Sequence, residues 1–298
     1  MRGAGSLRGA GSLRDALLDR LAAQWVTLGV TVAGPADDTV IDLEALVTAT
    51  ALAGRDEPRV YEGAIDWSGR YGTAINGARL KAVSGEIGGD PAALAEFAAR
   101  VAGAGGPRWP VAAGRSLPHQ VRGKVRPTDL RAPALLAWRL RLAFGVAARA
   151  DILTVLASTP DQAYPLADLA RRTRSSKRNV TLAVQALAMA GVVETDRAGN
   201  QLRVRLTRHA GFRDWLGHVP APPVDWTARY AVVVAALGLD EAAALPVVRA
   251  IDARVLVERL LPAIRRADLP APDTARLGEA FGAAFDAWRE TLAAALRP

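Results

Sequence analysis

Segment 165–206 constrains the fold more than any other part of the sequence, because its pattern predicts four consecutive elements. Leu166 and Leu169 form an apolar stripe on a short first helix. Ser175 or Ser176 then serves as the N-cap of a second helix, since either hydroxyl can accept a hydrogen bond from a free backbone N–H of its first turn. The pattern therefore predicts two helices joined by a tight polar turn.

The second predicted helix has one apolar and one polar face. Val180, Val184 and Leu187 recur at helical spacing and are expected to face inward. Four polar side chains fall on the opposite face: Lys177, Arg178, Thr181 and Gln185. Gly191 is placed to end this helix as its C′ residue, because glycine readily adopts a left-handed backbone.

The residues after this helix alternate in the way that a β-hairpin requires. A Val-Val-Glu run at 192–194 begins the first strand, and the polar run 196–200 supplies the turn. In the second strand, apolar residues at 202, 204 and 206 alternate with Arg203 and Arg205. Because side chains alternate between the two faces of a strand, both arginines are expected to face solvent.

Two short helices, a polar turn and a hairpin with outward arginines resemble the winged helix-turn-helix regulators, a family that includes the arsenical-resistance and multiple-antibiotic-resistance repressors. The resemblance covers about residues 148–206, and the stretch SSKRNVTLAVQALAMAGVVET carries most of it. In this family the second helix enters the DNA major groove, and the hairpin, called the wing, touches the backbone or the minor groove.

The resemblance implies DNA-contacting roles for residues of both elements. The helix and its preceding turn contribute Arg174, Ser176, Lys177, Arg178, Thr181 and Gln185. The wing contributes Arg197, Asn200, Arg203 and Arg205. Leu182 and Ala183 stand where related proteins often carry polar groups. We therefore expect affinity from phosphate contacts rather than specificity from base contacts.

Charge is strongly segregated along the chain, whose formal net charge is +8. Residues 107–213 contain 19 basic and 6 acidic residues, a net charge of +13. Residues 1–106 have a net charge of −3, and residues 214–298 a net charge of −2. The whole positive excess therefore lies in one central region, which is the electrostatic footprint expected of a nucleic-acid-binding surface.

The first part of this basic region, residues 105–133, is rich in proline and glycine and is predicted to be a linker. Arg122, Lys124 and Arg126 within it are further candidate DNA contacts, because an extended basic segment can follow a row of phosphates. Charge in a linker can equally serve solubility alone, and both interpretations are open at this point.

Composition predicts a mainly α, multi-helical fold with a central winged helix-turn-helix domain. Half of the residues are hydrophobic but only 5% are aromatic, and alanine is abundant, which favours packed helices over sheets. A chain of 298 residues also exceeds what one hydrophobic core usually serves. The predicted order is a flexible basic tail at 1–13, an N-terminal helical domain at 14–104, the linker at 105–133, the winged helix-turn-helix domain at 134–213 and a C-terminal helical domain at 220–298.

The C-terminal domain is the candidate for dimerisation. Its last predicted helix carries an apolar stripe made of Leu277, Phe281, Phe285, Trp288 and Leu292. Such a stripe is most often either core or the seam of a homodimer.

The chain also contains an internal echo, IDWSGRYG at 65–72 and VDWTARYA at 224–231. On a helix, Asp66 with Arg70 and Asp225 with Arg229 are expected to be partners four residues apart. The preferred interpretation is that both segments are packing helices used in an equivalent way. The alternative is that their aromatic side chains form matching surfaces that bind a ligand or stack on nucleic-acid bases.

Sequence patterns argue against several other classes of protein. The chain has no cysteine, and its three histidines lack the spacing of metal ligands, so no metal or cofactor is expected. No phosphate-binding loop or nucleophile elbow is present, and no run of 18 uncharged apolar residues occurs, so neither an enzyme nor a membrane protein is expected.

The sequence therefore predicts a dimeric double-stranded DNA-binding protein of the cytoplasm and nucleoid. A transcriptional regulator that answers to an unidentified effector is the expected type. The alternative is a winged-helix module that binds a protein or RNA without sequence-specific reading of DNA.

Overall fold

A computed structural model describes residues 12–111, 114–217, 219, 224–239 and 246–298. Residues 1–11 of the predicted tail, which was placed at 1–13, lie outside the described residues. Its last two residues belong to the fold, because Leu13 begins the first helix and is 4% exposed. Ser12 and Asp15 form a reciprocal capping box at this helix start. The folded chain therefore begins slightly earlier than the sequence indicated.

The first part of the chain forms five helices with side-chain caps at most of their starts. These are α1 (Leu13–Thr27), α2 (Leu43–Ala53), α3 (Pro58–Tyr71), α4 (Gly77–Ile87) and α5 (Pro91–Gly103). Asp42 caps α2, Asn76 caps α4 and Asp90 caps α5, and each side chain accepts a hydrogen bond from a free backbone N–H. Proline follows Asp90 at the first helical position, where its missing N–H costs nothing.

The central part contains the small sheet of the fold. Its elements are α6 (Leu136–Phe144), α7 (Ala148–Ala157), β1 (Tyr164–Pro165), α8 (Leu166–Thr173), α9 (Lys177–Met189), β2 (Val193–Ala198), β3 (Gln201–Leu206) and α10 (Ala210–Leu216). The strand order is β1-β3-β2 with antiparallel pairing, and the β2–β3 register runs from Val193 opposite Leu206 to Ala198 opposite Gln201. The prediction of a mainly helical fold with a small β-hairpin is confirmed.

The last part of the chain packs back onto the first. It forms α11 (Trp226–Gly238), α12 (Pro246–Arg266) and α13 (Glu279–Leu296). Trp25 and Trp67 share one hydrophobic cluster with Trp226 and Phe285, and all four are buried. The sequence assigned these side chains to two domains, at 14–104 and 220–298, whereas the structure places them in one core. We call α1–α5 with α11–α13 the helical body.

A second, smaller cluster lies among α6–α10 and the sheet. Leu140, Leu153, Leu187 and Val204 are completely buried or nearly so within it. Val40 from the helical body also belongs to this cluster. The two cores therefore adjoin each other near the start of α2.

The proline- and glycine-rich segment is packed against the helical body. We call its described residues between 105 and 132 the strap. Trp109 is 4% exposed, and its indole N–H donates to the carbonyl of Gly72. Farther along, Val125 forms a β-bridge with Val30, and the N–H of Arg126 donates to the carbonyl of Gly29 at 2.9 Å. This segment is therefore an ordered strap along the body, where the composition predicted a linker.

A buried ionic network joins the two clusters. Glu44 of α2 is completely buried, and its carboxylate accepts hydrogen bonds from Arg141 of α6 at 2.7 and 2.8 Å. Arg141 also donates to Asp151 of α7 at 2.9 Å. Arg79 of α4 contacts the other side of the network, where it binds both Glu44 and Asp42. Four helices are therefore held by one set of mutually compensating charges.

We expect Glu44→Gln to lower the free energy of unfolding by about 3 kcal/mol, because it removes one partner of a buried ion pair. Urea unfolding at neutral pH, followed by tryptophan fluorescence, measures the change. The matched control is Glu258→Gln, since Glu258 lies on the surface and pairs with Arg254 four residues away. The control should change stability by less than about 0.5 kcal/mol. Equal effects of the two substitutions would show that the network does not hold the clusters together.

Candidate nucleic-acid interface

A tight turn between α8 and α9 sets the direction of the second helix. Arg174 occupies the left-handed backbone region with φ of 53°. The N–H of Ser175 donates back to the carbonyl of Ala170 at 3.0 Å. Ser176 is the N-cap, and its hydroxyl accepts a hydrogen bond from the N–H of Asn179 at 3.2 Å. Of the two serines that the sequence offered, the structure uses Ser176.

The inward face of α9 agrees with the periodicity. Val180, Val184 and Leu187 are at most 2% exposed and pack in the second cluster. Gly191 has φ of 68°, the left-handed conformation expected after the helix. The prediction of this face and of the helix end is confirmed.

The outward face of α9 is mixed in character. Lys177, Arg178 and Gln185 are exposed, whereas Thr181 is half-buried and its hydroxyl donates to the carbonyl of Lys177. Two apolar side chains on this helix are also exposed, Leu182 at 56% and Met189 at 87%. Ala183 is buried, so it does not belong to the outward face.

The hairpin presents part of its predicted charge to solvent. Arg197, Asn200 and Arg203 are exposed. Arg205 is half-buried and forms an ion pair with Glu194, its partner on the opposite strand, at 2.8 Å. The hairpin therefore offers two exposed arginines with no ion-pair partner in the described part of the chain, and the charge of the third is compensated locally.

Arg174 differs from the other candidate residues because its side chain points into the protein. It is only 12% exposed, and it donates to Glu86 of α4 at 2.8 Å and to Asp225, the N-cap of α11, at 2.9 Å. Burial alone would raise the pKa of Glu86, but the hydrogen bond and charge of Arg174, together with Arg266, lower it. The prediction of Arg174 as a DNA contact is therefore corrected, because its guanidinium is committed to carboxylates within the protein. Arg174 ties the α8–α9 turn to the helical body.

The three basic candidates of the strap lie beside other helices. The N–H of Arg122 donates to Asp66 of α3 at 2.8 Å, and its guanidinium pairs with Glu62 at 3.3 Å. The side chains of Lys124 and Arg126 are exposed, while their backbones form hydrogen bonds with Gly29 and Thr31, just after α1. Because α9 packs against α7, α8 and β2, the strap and α9 rest on different helices.

A groove beside α9 contains residues that sequence reasoning missed. Asn179 and Leu182 of α9 line it together with Ala78 of α4 and Val146 and Arg149 near the start of α7, and its volume is about 550 Å³. Arg149 is exposed and adds a cation next to the helix. The pattern of segment 165–206 carried no signal for it, because Arg149 precedes that segment and approaches α9 only through tertiary packing.

The apolar stripe of the last helix is part of the core. Phe281, Phe285, Trp288 and Leu292 are at most 4% exposed and belong to the first cluster, and Leu277 is 67% exposed ahead of α13. Of the two interpretations of the stripe, the structure agrees with core packing. The homodimer stays a prediction that this stripe does not support.

The described residues also bear on two other possibilities, a metal site and a membrane-spanning helix. Within these ranges no group of three or more His, Asp or Glu side chains is placed to hold a metal ion. None of the helices described is both long and apolar enough to cross a lipid bilayer.

Comparison with known proteins gave no relatives: no family model, no curated protein and no solved structure matches this chain.

The ionic network gives the fold a specific dependence on pH. Burial alone would raise the pKa of Glu44, but the charges of Arg141 and Arg79 outweigh it and lower the pKa. Asp42 behaves in the same way, since burial is outweighed by the charge and hydrogen bond of Arg79 and by the charge of Arg174, and its pKa is also lowered. Both carboxylates therefore stay ionised in the folded protein at pH values where the unfolded chain binds protons.

We expect the free energy of unfolding to stay level from about pH 7 to about pH 5 and to fall below that range. The usual pKa values are 4.5 for Glu44 and 3.8 for Asp42, so the unfolded chain gains protons first as the pH decreases. Urea titrations at a series of pH values measure this profile. Glu44→Gln, which cannot titrate there, should show a shallower decrease, and an equally steep decrease would contradict the assignment.

Proposed function

We propose that this protein binds double-stranded DNA as a transcriptional regulator, with α9 in the major groove and the β2–β3 hairpin against the neighbouring backbone. The order α7, β1, α8, α9, β2, β3 supports a winged helix-turn-helix interpretation of this unit. The observation that carries the proposal is a set of exposed cations on both of these elements that form no ion pair with the described residues.

The unpaired cations differ from the other arginines of the same unit. Lys177 and Arg178 on α9 and Arg197 and Arg203 on the hairpin make no side-chain ion pair with any described residue. Arg141, by contrast, is buried and compensated by carboxylates. Cations of this kind on a helix and its adjoining hairpin can each neutralise a phosphate of a DNA backbone.

The mixed face of α9 favours phosphate binding over base reading. The hydroxyl of Thr181 is already committed to its own helix, and Leu182 offers only an apolar surface. Gln185 keeps an amide that can form two hydrogen bonds with adenine. We infer that most affinity comes from the backbone and that sequence preference is modest and falls on few base pairs.

A second candidate function rests on the exposed apolar side chains of α9. Leu182 lines the groove beside α4, and Met189 extends from the end of the same helix. A protein that docks on this face would cover both side chains. Leu182→Ser with Met189→Ser would then abolish partner binding, whereas DNA binding through the cations would continue.

The first test removes the two cations at the start of α9. Lys177→Ala with Arg178→Ala should weaken binding to duplex DNA by about 10-fold to 100-fold, because two phosphate or base contacts are lost. Fluorescence anisotropy at several salt concentrations gives the affinity. The control is Arg59→Ala with Arg265→Ala, which removes the same charge from exposed positions on α3 and α12. Equal losses in both double variants would indicate a general charge effect and contradict the placement of α9.

The second test concerns the hairpin. Arg197→Ala with Arg203→Ala should reduce the slope of log affinity against log salt by about 2, since each lost phosphate contact releases about one counterion fewer. Sequence preference, measured by selection from a fragment pool, should stay the same because the hairpin contacts the backbone. An unchanged slope would exclude the hairpin from the interface.

A further inference from the structure

The solvent-facing side of α12 is apolar over most of its first half. Four aliphatic side chains lie there, each between 46% and 61% exposed: Val247, Val248, Ile251 and Val255. No other helix of the described chain exposes so many large apolar side chains. Successive residues of a helix turn by about 100°, so all four lie within about 100° of one another around the axis. We call these four side chains the α12 stripe. Grouped exposure of this kind marks a surface for a partner more often than singly scattered apolar residues do.

The opposite side of α12 is part of the core. Ala253 and Val257 are completely buried in the cluster of the helical body. Arg249 forms an ion pair with Asp286 of α13, which holds the start of α12 in place. The helix is therefore fixed to the body by one face and leaves the α12 stripe open on the other.

Four charged side chains flank the α12 stripe. Asp252 and Arg259 lie on one side of it, and both are exposed without an ion-pair partner in the part of the chain that the structure describes. Toward the other side, Arg254 and Glu258 form an ion pair four residues apart at 3.0 Å. These four charges cancel, so the surface does not attract DNA or an anionic membrane. The partner that fits is an apolar surface with charges of both signs at its rim.

A second copy of α12 in antiparallel orientation has its charges in the complementary places. A two-fold axis that crosses the helix between Val255 and Leu256 brings Asp252 to the same level as the partner's Arg259, on the same side of the seam. By symmetry Arg259 meets the partner's Asp252, so the two charges that lack an ion pair within the described chain compensate each other. On the other side, the same axis brings opposite charges within about 1.5 Å of the same level along the helix.

The apolar side chains meet about the same axis. Val255 lies beside its own counterpart, and Ile251 comes to a level midway between the partner's Glu258 and the partner's Pro262. Val248 comes to within one residue of the level of the partner's Pro262. Pro262 is exposed and ends the seam, because a proline inside a helix bends it.

We propose that the α12 stripe is the interface of a two-fold symmetric homodimer, in which it packs antiparallel against the α12 stripe of a second copy. The seam from Val248 to Pro262 is about 22 Å long and about 10 Å wide, which is well below the roughly 800 Å² per partner of a stable interface. The dimer is therefore weak and dissociates on dilution. It does not rest on the proposed function, because no DNA takes part in it.

Sedimentation equilibrium of the full-length protein over a concentration series tests the dimer. Val255→Glu places two carboxylates beside each other at the axis and should weaken dimerisation by at least about tenfold. The matched control is Val121→Glu, the same change at a valine of the strap that is 56% exposed. The control should dimerise normally, and the melting temperature of dilute protein should be the same in both variants, since both positions are more than half exposed. A wild-type chain that stays monomeric at every concentration would overturn the proposal, as would a dimer that Val255→Glu leaves intact.

Charge exchange tests the antiparallel orientation. Asp252→Arg should weaken dimerisation by about tenfold, because like charges then meet at two symmetry-related places. Adding Arg259→Asp to the same chain should restore the dimer, because opposite charges face each other again. A parallel pair would not recover in this way, so failure of the second substitution to restore dimerisation would contradict the antiparallel seam.

A cross-link tests the position of the axis. The natural chain has no cysteine, so Val255→Cys introduces a single thiol. A disulfide requires Cα atoms about 4.4–6.8 Å apart, a distance that only a residue beside the axis reaches with its own counterpart. Mild oxidation should therefore give a covalent dimer from Val255→Cys and none from Val121→Cys. Equal cross-linking of the two variants would indicate random collision and contradict the proposed seam.

Discussion

The contact between Glu44 and Arg141 determines how the two cores of this protein meet. A carboxylate with no exposed surface lies at the start of α2, where Arg141, Arg79 and the N–H of Asn76 donate to it. The free-energy cost of removing these charges from water offsets much of the attraction between them. The network therefore adds little net stability over an apolar contact of the same size. Its effect is on geometry, because any other docking of α6 on α2 leaves a buried charge without a partner. The orientation of the α8–α9 unit follows from that constraint.

Local signals in the sequence predicted local structure well. The apolar periodicity predicted the buried face of α9. The capping hydroxyl of serine and the left-handed backbone of glycine predicted where the helix starts and ends. All three features depend on residues only a few positions apart. The shared core of segments 14–104 and 220–298 could not be predicted, for the opposite reason. Trp25 and Trp226 meet in one cluster, and nothing in an apolar stripe indicates which distant stripe will cover it. The packing of the strap was missed for a similar reason. Proline and glycine exclude a helix, but they do not exclude an ordered extended segment that packs against neighbouring helices.

The candidate site shows the same limit at the level of single side chains. The pattern placed Arg174 with the other cations of the turn, yet its carboxylate partners lie 88 and 51 residues away in the sequence. The echoed segments were misread in the same way. Asp66 binds His119 at 2.7 Å and the N–H of Arg122, and Asp225 caps α11 and binds Arg174, so the expected pairs four residues apart do not account for either aspartate. In both segments the tryptophan is buried, in agreement with the packing interpretation. The aspartate of each echoed segment therefore holds one part of the basic central region against the helical body: Asp66 holds the strap, and Asp225 holds the α8–α9 turn.

These long-range pairs reduce the positive charge that the central region leaves exposed on the surface. The two flanking regions have net charges of −3 and −2, and they supply Glu44, Glu86 and Asp225 to arginines of the central region. Compensation of Arg141 and Arg174 by the body fixes the second core in place and removes those charges from any interface. Cations of α9 and the hairpin that lie beyond the reach of these carboxylates keep their full charge. Packing against an acidic body thus selects which arginines remain to attract phosphates, and this selection makes the electrostatic footprint smaller and better defined than the +13 of the sequence implies.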